Sequence, residues 1–169
     1  MGIASWLRKD VLENFFAEYA FAEMPKRIAV IAAGNIPAVG FHDIMCVLLS
    51  GNKLVCKLSS KDDVLLPFLF DNFFKEEVVF EKSVIAGFDA VIATGSNNSA
   101  LHFENYFGKY PHIIRHNRHS VAVLSGEESK EDLEGLAKDM LLYAGLGCRS
   151  VSKLFVPRTY DFGALKAAC

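Results

Sequence analysis

The most constraining feature of this sequence is an unbroken apolar run, Ile28 to Ala33, that ends at Gly34. A run without polar alternation is typical of a strand buried on both faces, as strands of parallel sheets are. The following segment, "FHDIMCVLLSGN", has the length of a helix, is apolar nearly all round, and carries Gly51 where a helix C′ glycine belongs. Strand, turn and helix in this order indicate a unit of a parallel α/β sheet.

The same alternation continues along the chain. Further strands are predicted in "KLVCKLSS", "FDAVIATGSNNS", "HIIRHNRHSVAVLS" and "VSKLFV", and further helices in "KDDVLLPFLFDNFFKEE", "SALHFENYF" and "SKEDLEGLAKDMLLYAGLG". In the last of these, Ser129 and Asp132 resemble a capping box, and apolar residues from Leu133 to Ala144 recur at helical spacing. Strands alternating with helices predict one α/β domain, a Rossmann-like and mainly parallel sheet flanked by helices.

Bulk properties narrow the class of partner and the cellular setting. The chain has 169 residues, 51% of them apolar, and a net charge of −2, which gives no reason to expect nucleic acid or an anionic membrane as partner. The longest charge-free stretch, Ile28 to Phe41, is too short to span a bilayer, so no membrane insertion is expected. The start of the sequence lacks the pattern of a signal peptide, and its 4 cysteines form no CxxC pair. We therefore expect a reducing, cytoplasmic setting.

Polar or glycine-rich stretches follow several of the predicted strands. They are "AGNIPAVG", "KLSSKDD", "ATGSNNS" and, beyond a helix, "GLGC". Glycine and asparagine are ordinary turn residues, so each stretch alone is a weak signal. Ligands of parallel α/β sheets bind at the carboxyl ends of the strands, and the joint placement of these stretches at one predicted edge favours a binding site.

Three positions at this edge suggest particular chemistry. The strand-to-helix junction at 94–99 has the free backbone amides and helix dipole of an anion site. Lys57 closes a strand and either contacts ribose hydroxyls or a phosphate, or is an ordinary surface lysine. Asn35 either donates its side-chain amide to an oxyanion or is a turn asparagine.

Cys148 is the best candidate for a nucleophile. Glycines just before it permit an unusual backbone, and Arg149 adds a positive charge that favours the thiolate. The alternative is a loop cysteine without a role. Cys46 and Cys56 lie inside apolar elements, where packing is the better interpretation.

The segment "HIIRHNRH" raises the question of a metal site. His112, His116 and His119 would share one face of a helix. The apolar residues around them favour strands instead, where this spacing does not gather ligands in the same way. We expect no metal site.

The combination of these stretches resembles the aldehyde dehydrogenase superfamily. Within it, the chain is similar to the LuxC-type acyl-CoA reductases, relatives of the fatty-acid reductase that supplies aldehyde in bacterial bioluminescence. The resemblance runs from about residue 25 to the end and rests on "AGNIPAVGFHD", "LLSGNKLVCKLSSKDD", "FDAVIATGSNNSA", "YFGKYPHIIRHNRHSVAVLSGEES" and "GLGCRSVSKLFVP". It implies that the fold is the nucleotide-binding domain of an aldehyde dehydrogenase.

The resemblance also implies a reaction. Cys148 matches the nucleophile that carries the acyl group as a thioester, and Asn35 matches the asparagine that stabilises the oxyanion. The implied activity is reduction of a fatty acyl-CoA or acyl thioester to aldehyde. Hydrolytic relatives place a glutamate base at a position that falls near Arg115 here. Without that glutamate water is hard to activate, which favours acyl-CoA reduction over oxidation of aldehyde to acid.

A nicotinamide cofactor is part of what the resemblance implies, as NADPH or NADH. Lys57 matches the lysine that holds the adenosine ribose or its phosphate, and Ser59 belongs to the same cofactor-binding stretch. Gly95 and Ser96 match the pair beside the cofactor pyrophosphate. The implied partners are an acyl-CoA or acyl-thioester substrate and, for the protein itself, a second copy in a homo-oligomer.

The expected organisation is a helical segment at 1–24, the nucleotide-binding α/β domain at 25–145, and the start of a catalytic domain at 146–169. Family members continue well beyond the nucleophile, so the chain is expected to be a fragment. Two other functions stay open: a non-catalytic or truncated nucleotide-binding module, and an aldehyde dehydrogenase that acts oxidatively.

Overall fold

The computed structural model describes residues 3–70, 74, 76–83 and 85–169. The chain forms two compact units, Met1–His116 and Asn117–Cys169. The boundary between these two units, at 116/117, lies before the predicted domain boundary at 145/146. The predicted functional domains 1–24, 25–145 and 146–169 stay a prediction.

The first unit contains a sheet of five strands, all parallel. The strands are β1 (Arg27–Ile31), β2 (Lys53–Lys57), β3 (Val78–Glu81), β4 (Ala90–Thr94) and β5 (His112–Arg115), in the spatial order β3-β2-β1-β4-β5. The described helices of this unit are α1 (Ile3–Trp6), α2 (Lys9–Phe16), α3 (Phe41–Leu49), α4 (Leu65–Phe70) and α5 (Asn97–Phe107). The predicted Rossmann-like α/β fold is confirmed.

The central strand β1 is buried on both faces, as its apolar run predicts. Val30 and Ala32 join the apolar cluster that contains Ile44 of α3, whereas Ala29 and Ile31 join the cluster on the other face with Val91 of β4. Because successive side chains of a strand point to opposite faces, only a continuous apolar run can satisfy both clusters.

The direction of strand addition reverses at β1. The chain proceeds outward from β1 to β2 and β3, and then returns to add β4 and β5 on the opposite side. Such a reversal leaves a crevice outside the carboxyl ends of the two central strands, here β1 and β4, and ligands of open α/β sheets bind in that crevice. The topology therefore places the best binding position of this unit between the loops that follow β1 and β4.

Several predicted helix boundaries are confirmed. Helix α3 ends before Gly51, whose φ of 79° is the left-handed conformation that glycine adopts most readily after a helix. Part of the helix predicted in "KDDVLLPFLFDNFFKEE" is present as α4, while its positions 71–73 and 75 lie outside the described residues.

The short edge strand β3 is not among the predicted elements, because four residues flanked by charges carry little periodic signal.

The second unit contains the parallel pair β6 (Ser120–Val123) and β7 (Val151–Phe155), joined through α6 (Lys130–Leu141) and a 3₁₀ turn at Leu142–Gly145, and followed by α7 (Gly163–Ala168). The capping box at the start of α6 is confirmed: the Asp132 amide donates to Ser129 Oγ at 3.1 Å and the Ser129 amide to Asp132 Oδ2 at 3.0 Å. The prediction that this helical face continues to Ala144 is wrong. The helix ends at Leu141, because Leu142 leaves the helical region at ψ 133° and Tyr143 and Ala144 follow in the left-handed region at φ 53° and 55°.

No helix in the described ranges is long and apolar enough to cross a membrane.

Candidate active site

Three polar loops follow β1, β2 and β4, which are neighbours in the sheet. Asn35 lies in the loop after β1, Lys57 and Ser59 at the end of β2 and just beyond it, and Gly95 and Ser96 between β4 and α5. Parallel strands end at the same edge of a sheet, so the topology brings these five positions, widely separated in sequence, to one edge. That edge includes the crevice between β1 and β4.

The junction between β4 and α5 has the features of an anion site. Ser96 is the N-cap of α5, and its Oγ accepts a hydrogen bond from the Ser99 amide at 3.1 Å. The first turn of α5 contains no acidic residue, and the remaining amides of a helix start point out of its N-terminus. A Cβ on Gly95 would lie 2.7 Å from Ser99 Cβ and 2.9 Å from the Phe103 ring, so only glycine allows the helix to begin this close to the strand.

The loops after β1 and β2 lie against each other. Ser59 packs on Gly34, where an added Cβ would fall 2.3 Å from Ser59 Oγ. At the base of the same loops, the Ala32 amide donates to the Lys57 carbonyl at 3.0 Å. Lys57 is half-buried, and Asn35 is exposed to solvent.

Asp62 connects the same two loops and was not singled out by the sequence analysis. Its Oδ2 accepts a hydrogen bond from the Ala38 amide at 2.6 Å, although 24 residues separate the two. Asp62 is only 8% exposed, whereas its neighbour Asp63 forms an ion pair with Lys82 that is largely open to solvent. Nothing in the sequence "KDD" distinguishes the buried aspartate from the half-buried one.

Arg115 ends β5 and forms a half-buried ion pair. Its Nη1 donates to Asp43 Oδ2, in the first turn of α3, at 2.6 Å. The exposed fractions of the two side chains are 28% and 14%, so this pair is better shielded than a surface ion pair. A guanidinium has N–H donors and no acceptor atom, so it cannot serve as a base toward water.

Cys148 lies in the second unit, in an exposed turn between α6 and β7. The three residues Tyr143, Ala144 and Gly145 before this turn all have positive φ, of 53°, 55° and 70°. Of the two glycines expected to permit an unusual backbone, Gly145 has a positive φ and Gly147 does not, and the left-handed stretch extends instead to two residues that are not glycine. Beyond it, the Ser150 amide donates to the Gly147 carbonyl at 2.9 Å and closes a turn around the cysteine.

The other cysteines differ from Cys148 in their surroundings. Cys56 is fully buried in β2, and this burial, with a smaller contribution from the Asp43 carboxylate, raises the pKa of its thiol to about 12. Burial and then Asp43 also raise the pKa of the half-buried Cys46. Both thiols are protonated near neutral pH and therefore poor nucleophiles. Cys169, the last residue of the sequence, is exposed like Cys148.

The segment "HIIRHNRH" forms β5 and the connection to β6, so its histidines do not share a helical face. In the part of the chain that the structure describes, no group of three or more His, Cys, Asp or Glu side chains is placed to hold a metal ion.

Solved aldehyde dehydrogenases have the same fold. The chain is similar to an aldehyde dehydrogenase from Bacillus cereus with a TM-score of 0.70 and 17% identity, over 98% of this chain and 42% of that protein. It is similar to 1-pyrroline-5-carboxylate dehydrogenase from Thermus thermophilus with a TM-score of 0.71 and 15% identity, over 94% and 38%. For an aldehyde dehydrogenase from Pseudomonas syringae, solved with NAD⁺ and octanal, the TM-score is 0.69 and the identity 16%, over 94% and 39%.

The chain spans less than half of the length of these aldehyde dehydrogenases. A search of curated protein sequences gave no match. The acyl-CoA reductase (LuxC) family matches residues 8–162, which are most of the chain. On this match, the chain belongs to the acyl-CoA reductase (LuxC) family.

Proposed function

We propose that the protein carrying this chain reduces a fatty acyl-CoA, or another acyl thioester, to an aldehyde with NADPH or NADH, through an acyl thioester on Cys148. The observation that carries the proposal is the convergence of Asn35, Lys57, Ser59 and the Gly95–Ser96 pair at one edge of the sheet in a member of the LuxC family. These are the residues to which the resemblance gives cofactor and oxyanion roles. The exposed turn of Cys148 supports its role as the nucleophile.

The chemistry proceeds in two transfers. In the first, the Cys148 thiolate attacks the carbonyl carbon of the substrate, a new carbon–sulfur bond forms, and the bond to the CoA sulfur breaks. The CoA thiolate leaves and takes up a solvent proton. Asn35 donates its side-chain N–H to the oxygen that becomes negative during this attack, which lowers the barrier because the charge is stabilised where it develops.

In the second transfer, the acyl carbon is reduced and the bond to Cys148 breaks. The electron pair of that bond returns to the Cys148 sulfur, so the aldehyde leaves and the thiolate is regenerated. A bound nicotinamide supplies the hydride for this reduction. Neither transfer consumes water, which agrees with an arginine, paired to Asp43, near the position of the glutamate base of hydrolytic relatives.

The residues at the sheet edge fit a nicotinamide dinucleotide. The start of α5 offers backbone amides without a nearby carboxylate in its first turn, which suits a pyrophosphate. Gly95 permits the close approach of strand and helix there, and Ser96 fixes the first turn by capping it. Lys57 supplies a positive charge, and Ser59 a hydroxyl, for the ribose or its phosphate at the end of the neighbouring strand.

The two other functions have specific observations against them. Oxidation of aldehyde to acid needs a base that activates water, and the guanidinium of Arg115 cannot serve as one. A non-catalytic nucleotide-binding module has no use for an exposed cysteine preceded by left-handed backbone at Tyr143 and Ala144, a conformation that is costly for residues other than glycine. An acyl-CoA substrate, a homo-oligomeric state and a cytoplasmic location complete the proposal.

The direct test is to locate the acyl group. Incubating the full-length protein with a fatty acyl-CoA, without reduced cofactor, should place one acyl group on Cys148, because Cys46 and Cys56 are shielded and their thiols have raised pKa values. Peptide mapping by mass spectrometry under acidic conditions, which preserve the thioester, identifies the site. Acyl found on Cys46 or Cys56 with Cys148 unmodified would contradict the assignment.

Replacing Lys57 by alanine should weaken the binding of NADPH or NADH by about tenfold or more, since a charge-assisted hydrogen bond contributes about 1.5–3 kcal/mol. Acylation of Cys148 should continue at the parent rate. Titration calorimetry measures the affinity. The matched control is Lys53→Ala, at the opposite end of the same strand and outside the site. This variant should leave the affinity for NADPH or NADH unchanged. Equal affinities for the Lys57→Ala and Lys53→Ala variants would remove Lys57 from the cofactor site.

A further inference from the structure

Asp62 is a buried carboxylate in the loop between β2 and α4. It is 8% exposed and is the one charged residue among the buried side chains of the described ranges. Burying a carboxylate costs free energy unless hydrogen bonds compensate for the lost water, so the position of Asp62 calls for a structural reason. The hydrogen bond from the Ala38 amide at 2.6 Å is of the short, charge-assisted kind that provides such compensation.

Asp62 is itself held within its own loop. Its amide donates to the Ser59 carbonyl at 3.1 Å, and the two residues form an isolated antiparallel bridge. The carboxylate is therefore presented from a tight turn just after β2, rather than from a flexible chain. Because the turn is fixed, it can impose a conformation on the loop that it contacts.

The conformation imposed on Ala38 is an unfavourable one. Its φ is 52°, in the left-handed region, where the Cβ of a residue other than glycine crowds the following carbonyl oxygen. The Ala38 carbonyl accepts from the Phe41 amide at 3.0 Å, so this residue also connects the loop to the first turn of α3. The left-handed turn at Ala38 sets the direction of the chain that leaves Asn35, three positions earlier in the same loop.

We propose that Asp62 is a positioning residue for Asn35: its carboxylate holds the Ala38 amide, and thereby the loop after β1, in the conformation that aims the Asn35 carboxamide at the oxyanion. The proposal rests on the proposed function, because it assigns a purpose to the geometry of Asn35. A misplacement of about 1 Å at such a group can cost a hundredfold in rate, so a single hydrogen bond between the loops has a measurable consequence.

The test compares matched variants of the full-length protein in a single-turnover assay of CoA release, with thermal melting as the measure of folding. Asp62→Leu should slow acylation by about ten- to a hundredfold because the loop is no longer held. Asp62→Asn should stay close to the parent rate, since the amide oxygen still accepts from Ala38. Asp63→Leu is the control: it removes the half-buried neighbouring carboxylate and its ion pair with Lys82, and should leave acylation unchanged.

A double-mutant cycle with Asn35 distinguishes a positioning role of Asp62 from a merely structural one. In an Asn35→Ala background, Asp62→Leu should slow acylation little further, because the group it positions is gone, while its effect on the melting temperature should stay the same. Equal slowing by Asp62→Leu with and without Asn35 would overturn the proposal.

Two further variants keep the test decisive if Asp62→Leu does not fold. Ala38→Gly retains the amide and tolerates the positive φ, and should acylate close to the parent rate. Ala38→Val, whose branched side chain disfavours that φ, should acylate as slowly as Asp62→Leu is expected to. Equal rates for these two variants would overturn the proposal.

The variant Asn35→Ala shows whether a failed test concerns only the role of Asp62 or the proposed function as a whole. If Asn35→Ala is slow and Asp62→Leu is as fast as the parent, the role of Asp62 is wrong and the proposed function stands. If Asn35→Ala is as fast as the parent, or no acyl-Cys148 forms at all, the proposed function fails and the role of Asp62 fails with it.

Discussion

Replacing Cys148 by alanine will abolish both CoA release and aldehyde formation in the full-length protein. Removing a catalytic nucleophile typically lowers the rate by about 10⁴-fold or more, because no other group forms the covalent intermediate. Cofactor binding should change little, since the residues to which we assign it are Lys57, Ser59, Gly95 and Ser96. The measurement is single-turnover CoA release, followed with a thiol reagent after the protein is removed.

Cys169→Ala is the matched control for this experiment. Its thiol is exposed like that of Cys148, but it follows α7 rather than a turn with left-handed backbone. This variant should acylate and turn over at the parent rate. If Cys148→Ala still releases CoA and Cys169→Ala is inactive, the nucleophile is Cys169 and the assignment to Cys148 is wrong.

Asn35→Ala should slow acylation of Cys148 by about a hundredfold or more. Loss of one oxyanion donor typically costs about 3 kcal/mol of transition-state stabilisation, because the negative charge on the carbonyl oxygen loses a preorganised N–H. The affinity for NADPH or NADH should change little. Single-turnover acylation and cofactor titration, measured on the same preparation, separate the two effects.

Asn35→Asp sharpens this experiment. The aspartate has nearly the same shape, lacks the N–H donor, and brings a negative charge toward the oxyanion, so acylation should be at least as slow as in Asn35→Ala. Thermal melting of both variants shows whether each is folded under the conditions of the acylation assay. Parent-like acylation in Asn35→Asp would show that the amide does not contact the oxyanion.

Local patterns in the sequence predict local structure well in this chain. The apolar run from Ile28 specifies a strand buried on both faces, and Gly51 marks the end of α3. The pair Ser129 and Asp132 marks the start of α6. Each of these signals acts over one or two helical turns or a single strand, and is therefore independent of what packs against it.

Local sequence patterns predict only part of the candidate site. The turn residues after β1, β2 and β4 indicate ligand-binding loops, and the family resemblance assigns roles within them. The three loops lie next to one another because the strand order is β2-β1-β4, and this order is a property of the whole sheet. The restriction on Gly95 is likewise invisible in the sequence, because the Phe103 ring that excludes a Cβ lies two turns along α5.

Local patterns in the sequence specify most of the strands and helices of this protein and their alternation, because helix caps, apolar periodicity and turn residues act between near neighbours. They do not specify the edge strand β3 or the end of α6 at Leu141. The tertiary structure alone decided that Asp62 rather than Asp63 is buried, and that Ala38, Tyr143 and Ala144 adopt left-handed backbone. The physical reason is that burial and backbone strain depend on partners distant in sequence. The hydrogen bond from the Ala38 amide to Asp62 spans 24 residues, and no local preference of alanine predicts the conformation that it sustains.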